Sequence, residues 1–209
     1  RAVNLLTERK IDEGIEILEQ LLEEYPLNPH ILFNYGMAWS EKGDYQKSLK
    51  PLEKAVEVMP YFEPALTALG VSHNGLGNID KAIEYSKEAV RYTDENFYAF
   101  RNLASLYANK KDFANAEKYI EKAIEIEPDE PSGLITAGLI YRDTNQYNKA
   151  LKTLQKIIEN GINDRYIKQA QELITKITSE QFGEDNIRMD AVMYLVSAIK
   201  TYDDMPIDK

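Results

Sequence analysis

The sequence contains no cysteine among its 209 residues, so disulfides, thiolate zinc sites and cysteine nucleophiles are excluded. It also contains no run of the 18 or so apolar residues that a membrane-spanning helix needs, and we expect no membrane span. Glycine and proline are scarce as well, with 10 and 8 residues. A β-rich chain with many tight turns usually contains more, so these absences favour a helical protein.

Positive charge is in short supply. The chain has 25 Lys and Arg residues against 35 Asp and Glu, a net charge of −10. Such a surface repels phosphate backbones, and no Lys/Arg cluster on one predicted face offsets it. We therefore expect no nucleic-acid partner. Basic or neutral partners are compatible with this charge, although a charged surface more often serves solubility alone.

What the chain does have is a repeat of 34 residues, and this period determines the predicted architecture. Small residues would let paired helices approach closely, and they recur at Gly36, Gly70, Ala104 and Gly138. A ring recurs at the same spacing, at Trp39, His73, Tyr107 and Tyr141. A period kept in four copies is not chance.

Each repeat is predicted to form two helices joined by a short turn. Apolar residues recur at i, i+3, i+4 and i+7, which places helices near 29–42, 45–58, 63–76, 79–92, 97–110, 113–126, 131–144 and 147–160. Asp44, Asn78 and Asp112 are placed to cap second helices. Pro51 falls inside one predicted helix, where we expect it to remove a backbone hydrogen bond and kink the helix.

These repeats resemble the tetratricopeptide repeat (TPR) family. The first full unit reads LFNYGMAWSEKGDYQKSLKPLEKAVEVMP. The resemblance implies an all-α fold, a right-handed α-solenoid of antiparallel helix pairs, to which the sequence adds a capping helix and an extra C-terminal helix. We predict a partial N-terminal repeat over 1–28, full repeats over 29–62, 63–96, 97–130 and 131–164, a capping helix over 165–180, and a linker with the extra apolar helix over 181–209.

The resemblance also implies a peptide-binding groove, since family members bind peptides or partner proteins on a concave face lined by the first helix of each pair. The family's ligand-facing positions give here a mixed aromatic, aliphatic and polar strip. Its members are Phe33, Asn34, Met37, Thr67, Val71, Tyr98, Arg101, Asn102, Ser105, Ile135, Thr136, Leu139 and Arg142.

Two features of this strip bear on its ligand. Asn34 and Asn102 occupy positions at which some family members grip an extended peptide backbone, and an amide suits that role because it both donates and accepts. The alternative is asparagine without ligand contact. The family's clamp for chaperone C-terminal carboxylates needs cations that this strip lacks, so we expect a protein or peptide partner of another type. The apolar members, including Phe33 and Met37, either anchor ligand side chains or pack between repeats.

Catalytic and metal-binding patterns are absent from the sequence. There is no nucleophile elbow, P-loop, Rossmann or zincin motif. His73 lies in the aromatic series and is predicted to be a packed, hydrogen-bonded core residue, while His30 has no second histidine at metal-ligand spacing. We therefore predict no catalytic residue, no metal site, no cofactor and no enzymatic activity within these residues.

The segment DAVMYLVSAIK, residues 190–200, does not fit the 34-residue register. A helix apolar nearly all round must be covered on more than one side, and we expect this one to dock on TPR surface through Ala191, Tyr194, Leu195, Ala198 and Ile199. Three covers remain open: this chain's own groove, a second copy in a homodimer, or a domain beyond the chain.

Two classes of function follow. The leading one is a non-catalytic scaffold that binds a peptide or helix of a partner, with self-association through the C-terminal helix as a further element. The rival is a targeting or regulatory TPR segment of a larger enzyme, such as a glycosyltransferase. The chain begins at Arg1 and is interpreted as a fragment or processed form. The expected location is the cytoplasm, with a removed signal peptide as the alternative.

Overall fold

A computed structural model describes residues 10–161 and 163–182. All regular structure in this part of the chain is helical. The helices are α1 (Ile11–Glu24), α2 (Pro29–Glu41), α3 (Tyr45–Val58), α4 (Glu63–Gly75), α5 (Ile79–Arg91), α6 (Phe97–Asn109), α7 (Phe113–Ile126), α8 (Pro131–Asp143), α9 (Tyr147–Asn160) and α10 (Asp164–Phe182). The eight helices predicted over 29–160 are confirmed to within one residue at each end. The chain divides into two compact units, one ending at Leu106 and the other beginning at Tyr107.

The helix starts are fixed by side chains that accept hydrogen bonds from free backbone N–H groups. Asp44 accepts from the backbone N–H of Lys47 at 3.2 Å, and Asp112 accepts from that of Asn115 at 3.3 Å. These two predicted caps are confirmed. The third is wrong, because the side chain of Asn78 makes no capping hydrogen bond, although Asn78 precedes α5 in the same way.

This difference gives a matched test of capping. Asp112→Ala is expected to lower the thermal midpoint by about 3 °C, because the first turn of α7 loses an acceptor for a backbone N–H. Asn78→Ala, at the equivalent place before α5, is the control and should leave the midpoint within about 1 °C. Differential scanning calorimetry on both variants checks this. Equal shifts would mean that the cap bond of Asp112 contributes nothing.

Two other local features concern a helix end and a helix interior. Gly161 caps α9 in the left-handed conformation, with φ 60°, which glycine adopts without strain. Pro51 is buried and α3 continues past it without interruption. The kink expected at Pro51 stays a prediction.

In the first unit, the core depends on close approach of α2 and α3. A methyl group built on Gly36 would lie 2.5 Å from Leu52 Cγ and 3.1 Å from the Ser48 carbonyl oxygen. Leu52 is fully buried and packs with Ala68 and Leu69 of α4. Glycine at position 36 is therefore required by packing, as its place in the 34-residue series suggests.

His73 of α4 is a packed core residue, but the predicted hydrogen bonding is wrong. Its ring is 3% exposed and stacks on Tyr85, with ring centroids 5.3 Å apart. Neither ring nitrogen has a hydrogen-bond partner among the described residues. Tyr107 and Tyr119, one period further on, form a similar stack with centroids 5.6 Å apart. The site is built for an aromatic ring, so an imidazole there leaves two polar atoms unsatisfied.

In the second unit, Gly138 of α8 repeats the close approach seen at Gly36. A methyl group there would lie 2.7 Å from the side chain of Leu154 on α9. The capping helix predicted over 165–180 is present as α10, which packs against α8 and α9. Its apolar face is buried through Ile167, Ala170, Ile174 and Ile177. The role of α10 as the cap of the array stays a prediction.

Some predictions lie outside the described residues. They concern residues 1–9 of the partial N-terminal repeat, and the docking helix with Ala191, Tyr194, Leu195, Ala198 and Ile199. They stay predictions, as do the boundaries of the individual repeats.

Candidate functional site

The predicted groove residues of the first unit lie on α2, α4 and α6, the first helices of successive pairs. Packing fixes these helices relative to one another within the unit. Phe33 and Met37 of α2 pack against a buried cluster that Leu52 of α3 forms with Ala68 and Leu69 of α4. Ala99 of α6 shares a buried cluster with Leu66 of α4 and Ala89 of α5. We call the surface formed by Phe33, Asn34, Met37, Thr67, Val71, Tyr98, Arg101, Asn102 and Ser105 the first-helix face.

Its apolar residues divide into two kinds. Phe33 and Met37 are half-buried, and Phe33 meets Phe62 edge to face with ring centroids 5.4 Å apart. They pack between repeats, which was one of the two roles expected for them. Val71 and Tyr98 are 38% and 55% exposed. These two side chains offer apolar surface that nothing in the described chain covers.

A cation lies beside the most exposed of these side chains. The Arg101 guanidinium carbon is 5.6 Å from the Tyr98 ring centroid and 5.8 Å from that of Phe97. Both distances are within the range of cation–π attraction. Arg101 Nη2 also donates to Asn102 Oδ1 at 3.2 Å. The guanidinium is therefore held against the first-helix face by two rings and an amide.

The two asparagines of the predicted ladder are in different states. Asn34 Nδ2 donates to the His30 carbonyl oxygen at 2.7 Å, one turn back along α2. Asn102 has the reverse arrangement: its Oδ1 accepts from Arg101, while its Nδ2 is shielded from solvent and has no partner among the described residues. In each side chain one half of the amide is already engaged. A peptide bond could pair with the other half only, and with Asn102 only after the side chain turns toward solvent.

The remaining polar members of this face are simpler. Thr67 Oγ1 accepts a hydrogen bond from Asn96 Nδ2 at 3.1 Å, which ties α4 to the residue that precedes α6. Ser105 is half-buried on α6. Neither side chain approaches a group that it could activate, and they suit hydrogen bonding to a ligand better than chemistry.

In the second unit, the predicted groove residues on α8 offer less surface to a ligand than those of the first unit. Ile135 is 6% exposed, so its assignment to the binding strip is corrected: its side chain belongs to the core. Thr136 donates back to the Ser132 carbonyl oxygen at 2.8 Å, and Arg142 is paired with Asp143 through two bonds of 2.7 and 2.8 Å. Leu139 is half-buried. The contribution of α8 is therefore mainly Leu139.

Sequence reasoning missed a second set of exposed apolar residues. Leu27 and Tyr61, 58% and 67% exposed, each follow a proline at the junction between two repeats. The signal was present in the sequence, because large apolar residues stand there in place of the polar ones that junctions usually carry. The groove positions follow from the resemblance alone, and Leu27 and Tyr61 lie outside them.

The described residues contain no group of three or more His, Asp or Glu side chains that could hold a metal ion. Within the same ranges, none of the helices combines the length and the apolar character needed to cross a membrane.

Two family models, both described as tetratricopeptide repeat, match the chain. One matches residues 63–96, 99–130 and 132–160, and the other matches residues 1–59. The chain belongs to the tetratricopeptide repeat family. The resemblance drawn from the 34-residue period is thereby confirmed, and with it an all-α TPR fold.

Known relatives of this TPR protein are diverse. Anaphase-promoting complex subunit 3 of Schizosaccharomyces pombe is 24% identical over 135 residues, covering 65% of this chain and 20% of that protein. The human protein O-mannosyl-transferase TMTC3 is 25% identical over 175 residues, covering 82% of this chain and 19% of that protein. The chain thus spans about a fifth of the length of either relative.

A solved structure shows the same fold. YrrB, described as a TPR protein with an unusual peptide-binding site, superposes with a TM-score of 0.64 at 18% identity. The match covers 91% of this chain and 94% of YrrB. At this identity the similarity concerns the fold.

Proposed function

We propose that this TPR protein is a non-catalytic protein-interaction scaffold, whose first-helix face binds an extended peptide or a helix of a partner protein. The observation that carries the proposal is the exposure of Val71 and Tyr98 at ligand-facing positions on successive first helices. Exposed apolar side chains beside half-engaged amides and a held guanidinium form the kind of surface that recognises peptides. The peptide-binding site named for YrrB lends support by analogy of fold.

The chemistry of the first-helix face indicates how a peptide would lie on it. Apolar ligand side chains would lie against Val71 and Tyr98, and the free Oδ1 of Asn34 would accept from a peptide N–H.

The test is selection from a random peptide library on the full chain, followed by fluorescence anisotropy on the selected peptides. Val71→Ser combined with Tyr98→Ser is expected to raise the Kd about tenfold or more, because truncated apolar anchors account for much of the affinity of such surfaces. Lys152→Ala, an exposed change on α9, is the control. Failure to select any peptide, or selected peptides that bind the double variant as well as the wild type, would contradict the proposal.

Self-association through residues 190–200 is a separate part of the proposal and rests on the sequence of that segment. A helix apolar nearly all round needs cover, and a second copy could supply it. Light scattering on the full chain and on a chain truncated after Gly183 tests this. A dimer that becomes a monomer on truncation supports assembly through this segment, whereas equal masses contradict it.

The second candidate is a TPR segment of a larger enzyme. It is favoured by the match to TMTC3, a protein O-mannosyl-transferase of which the chain covers 19%. The length of the native gene separates the two candidates. Several hundred further residues with a catalytic motif favour the enzyme, and a gene little longer than this chain favours the scaffold.

A further inference from the structure

In the part of the chain that the structure describes, most of the exposed large apolar residues lie at or beside the junctions between helix pairs of the first unit. Of the eight in the described residues, only Val71 and Tyr98 lie on the first-helix face. The other six are Tyr25 (49% exposed), Leu27 (58%), Val58 (41%), Met59 (39%), Tyr61 (67%) and Tyr92 (39%). We call these six residues the junction edge. Singly exposed apolar residues are normal, but six on three consecutive junctions are not.

Two observations relate the three junctions to one another. The rings of Tyr61 and Tyr92 meet edge to face with centroids 4.7 Å apart, which joins the second junction to the third. Leu27 and Tyr61 stand one 34-residue period apart, each directly after a proline, so the first and second junctions present equivalent positions. Stacked repeats place equivalent positions in a row, and the junction edge is therefore such a row within the first unit.

The repeat itself does not impose this apolar character. One and two periods after Leu27 stand Tyr61 and Glu95, and the next position in the series is Asp129. The position of Met59 becomes Glu127 in the same way, two periods on. The fold thus tolerates charge at these places, and large apolar residues in the first unit are not needed to hold the junctions together.

Carboxylates surround the junction edge. Glu23 and Glu24 end α1, Glu57 lies near the end of α3, and Glu63 begins α4, while Asp94 and Glu95 lie in the third junction. Two cations near the ends of α3 and α5 are already paired, Lys54 with Glu57 at 2.7 Å and Arg91 with Glu88 at 3.5 Å. Glu23, Glu63, Asp94 and Glu95 have no cationic partner among the described residues. The rim is therefore strongly acidic.

We propose that the junction edge binds a basic amphipathic segment of another protein. Its apolar side chains would cover Leu27, Met59, Tyr61 and Tyr92, and its Lys and Arg side chains would meet the carboxylates of the rim. A second copy of this chain is the poorer occupant, because a symmetric contact would bring the two acidic rims together. This inference does not depend on the first-helix face.

The experiment uses the full chain and three fluorescein-labelled synthetic helical peptides, measured by anisotropy at low and at moderate salt. The first peptide has Leu and Trp on one face and Lys on the other. The second replaces every Lys by Glu, and the third keeps Lys but replaces Leu and Trp by Ser. The chain variants are Leu27→Ser/Tyr61→Ser on the junction edge, Val71→Ser/Tyr98→Ser on the first-helix face, and Lys152→Ala as the control.

The basic amphipathic peptide is expected to bind to the wild type. Its affinity for the junction-edge variant should be about tenfold lower. The Glu peptide should not bind, and the Ser peptide should bind at least about tenfold more weakly than the first peptide. Moderate salt should weaken binding of the first peptide, because the charges of the rim are exposed and are screened. Circular dichroism checks that the Leu27→Ser/Tyr61→Ser variant is folded.

Four outcomes overturn the proposal. The first two are that the basic amphipathic peptide does not bind, or that the Ser peptide binds as tightly as it does. The third is that the first-helix-face variant loses binding while the junction-edge variant keeps it. The fourth is that the wild type is a dimer and the junction-edge variant a monomer. The last would assign the surface to a second copy. Failure to select any peptide from the library, while the basic amphipathic peptide still binds, would count against the first-helix face alone.

Discussion

Replacing Gly36 by leucine is expected to lower the free energy of unfolding by about 3 kcal/mol. The reason is the approach of α2 to α3, where a methyl group at position 36 would already lie 2.5 Å from Leu52 Cγ. Leu52 is fully buried against Ala68 and Leu69 and has nowhere to move. The added side chain must therefore push the two helices apart.

Urea unfolding followed by circular dichroism measures this change. Gln46→Leu places the same side chain on an exposed position of α3 and is the control, expected within about 0.5 kcal/mol of the wild type. Repeat proteins can lose one pair of helices before the rest unfolds. Amide hydrogen exchange should therefore also be followed, and the faster exchange should be concentrated in α2 and α3.

A double variant tests the cause. Leu52→Ala alone should cost about 2–5 kcal/mol, because it leaves a cavity. The double variant Gly36→Leu/Leu52→Ala should lose less stability than the sum of the two single losses, by about 1–2 kcal/mol, since the new leucine enters the vacated space. Strict additivity, or a Gly36→Leu variant as stable as the wild type, would show that contact with Leu52 is not what requires glycine.

The fold could be predicted from the sequence because the residue types that recur every 34 residues are those that the packing of paired helices requires. A residue that must be small at every helix crossing recurs as Gly36, Gly70, Ala104 and Gly138, and the helices between these positions follow to within one residue. Their ends are marked by local signals such as Asp44 and Gly161, which act on neighbouring backbone. The error at Asn78 shows the limit. The residue type suits a cap, but whether its side chain turns back to the helix depends on its rotamer, which the sequence does not specify.

The candidate site could be predicted only in part. The positions on α2, α4 and α6 follow from the repeat, but exposure at those positions depends on what the next repeat brings beside them. Phe33 and Met37 are drawn into the packing between helix pairs, whereas Val71 and Tyr98 remain exposed. Ile135 stands three periods after Phe33 and is buried. Arg101 is held by two rings and Asn102, a set of contacts that no spacing rule predicts.

His73 gives the second large expected effect. Replacing it by phenylalanine should raise the free energy of unfolding by about 1 kcal/mol at pH 7.5, because two buried nitrogens without hydrogen-bond partners are removed. The ring stack on Tyr85 can be kept, since this place carries an aromatic residue in the other repeats.

The same variant should change the pH dependence of stability. The pKa of His73 is lowered, first by burial, which disfavours the charged imidazolium, and then by the positive charge of Lys81; Glu53 and Glu84 act in the opposite direction. Its pKa in the folded protein is thus below the unfolded value of about 6.5. The neutral ring is favoured by folding, so its contribution to stability is present above pH 6.5 and is lost as the pH falls below that value.

Urea unfolding of both proteins between pH 7.5 and pH 5 separates this effect from the titration of the carboxylates, which the two proteins share. The wild type should lose more stability than His73→Phe over that interval, so the advantage of the variant should grow as the pH falls. In the otherwise wild-type chain, Lys81→Ala should reduce the stability that is lost between pH 7.5 and pH 5, because it removes a positive charge that opposes protonation of His73. Parallel curves for wild type and His73→Phe would mean that the imidazole finds water or another partner in solution, and that the aromatic position tolerates a charged ring.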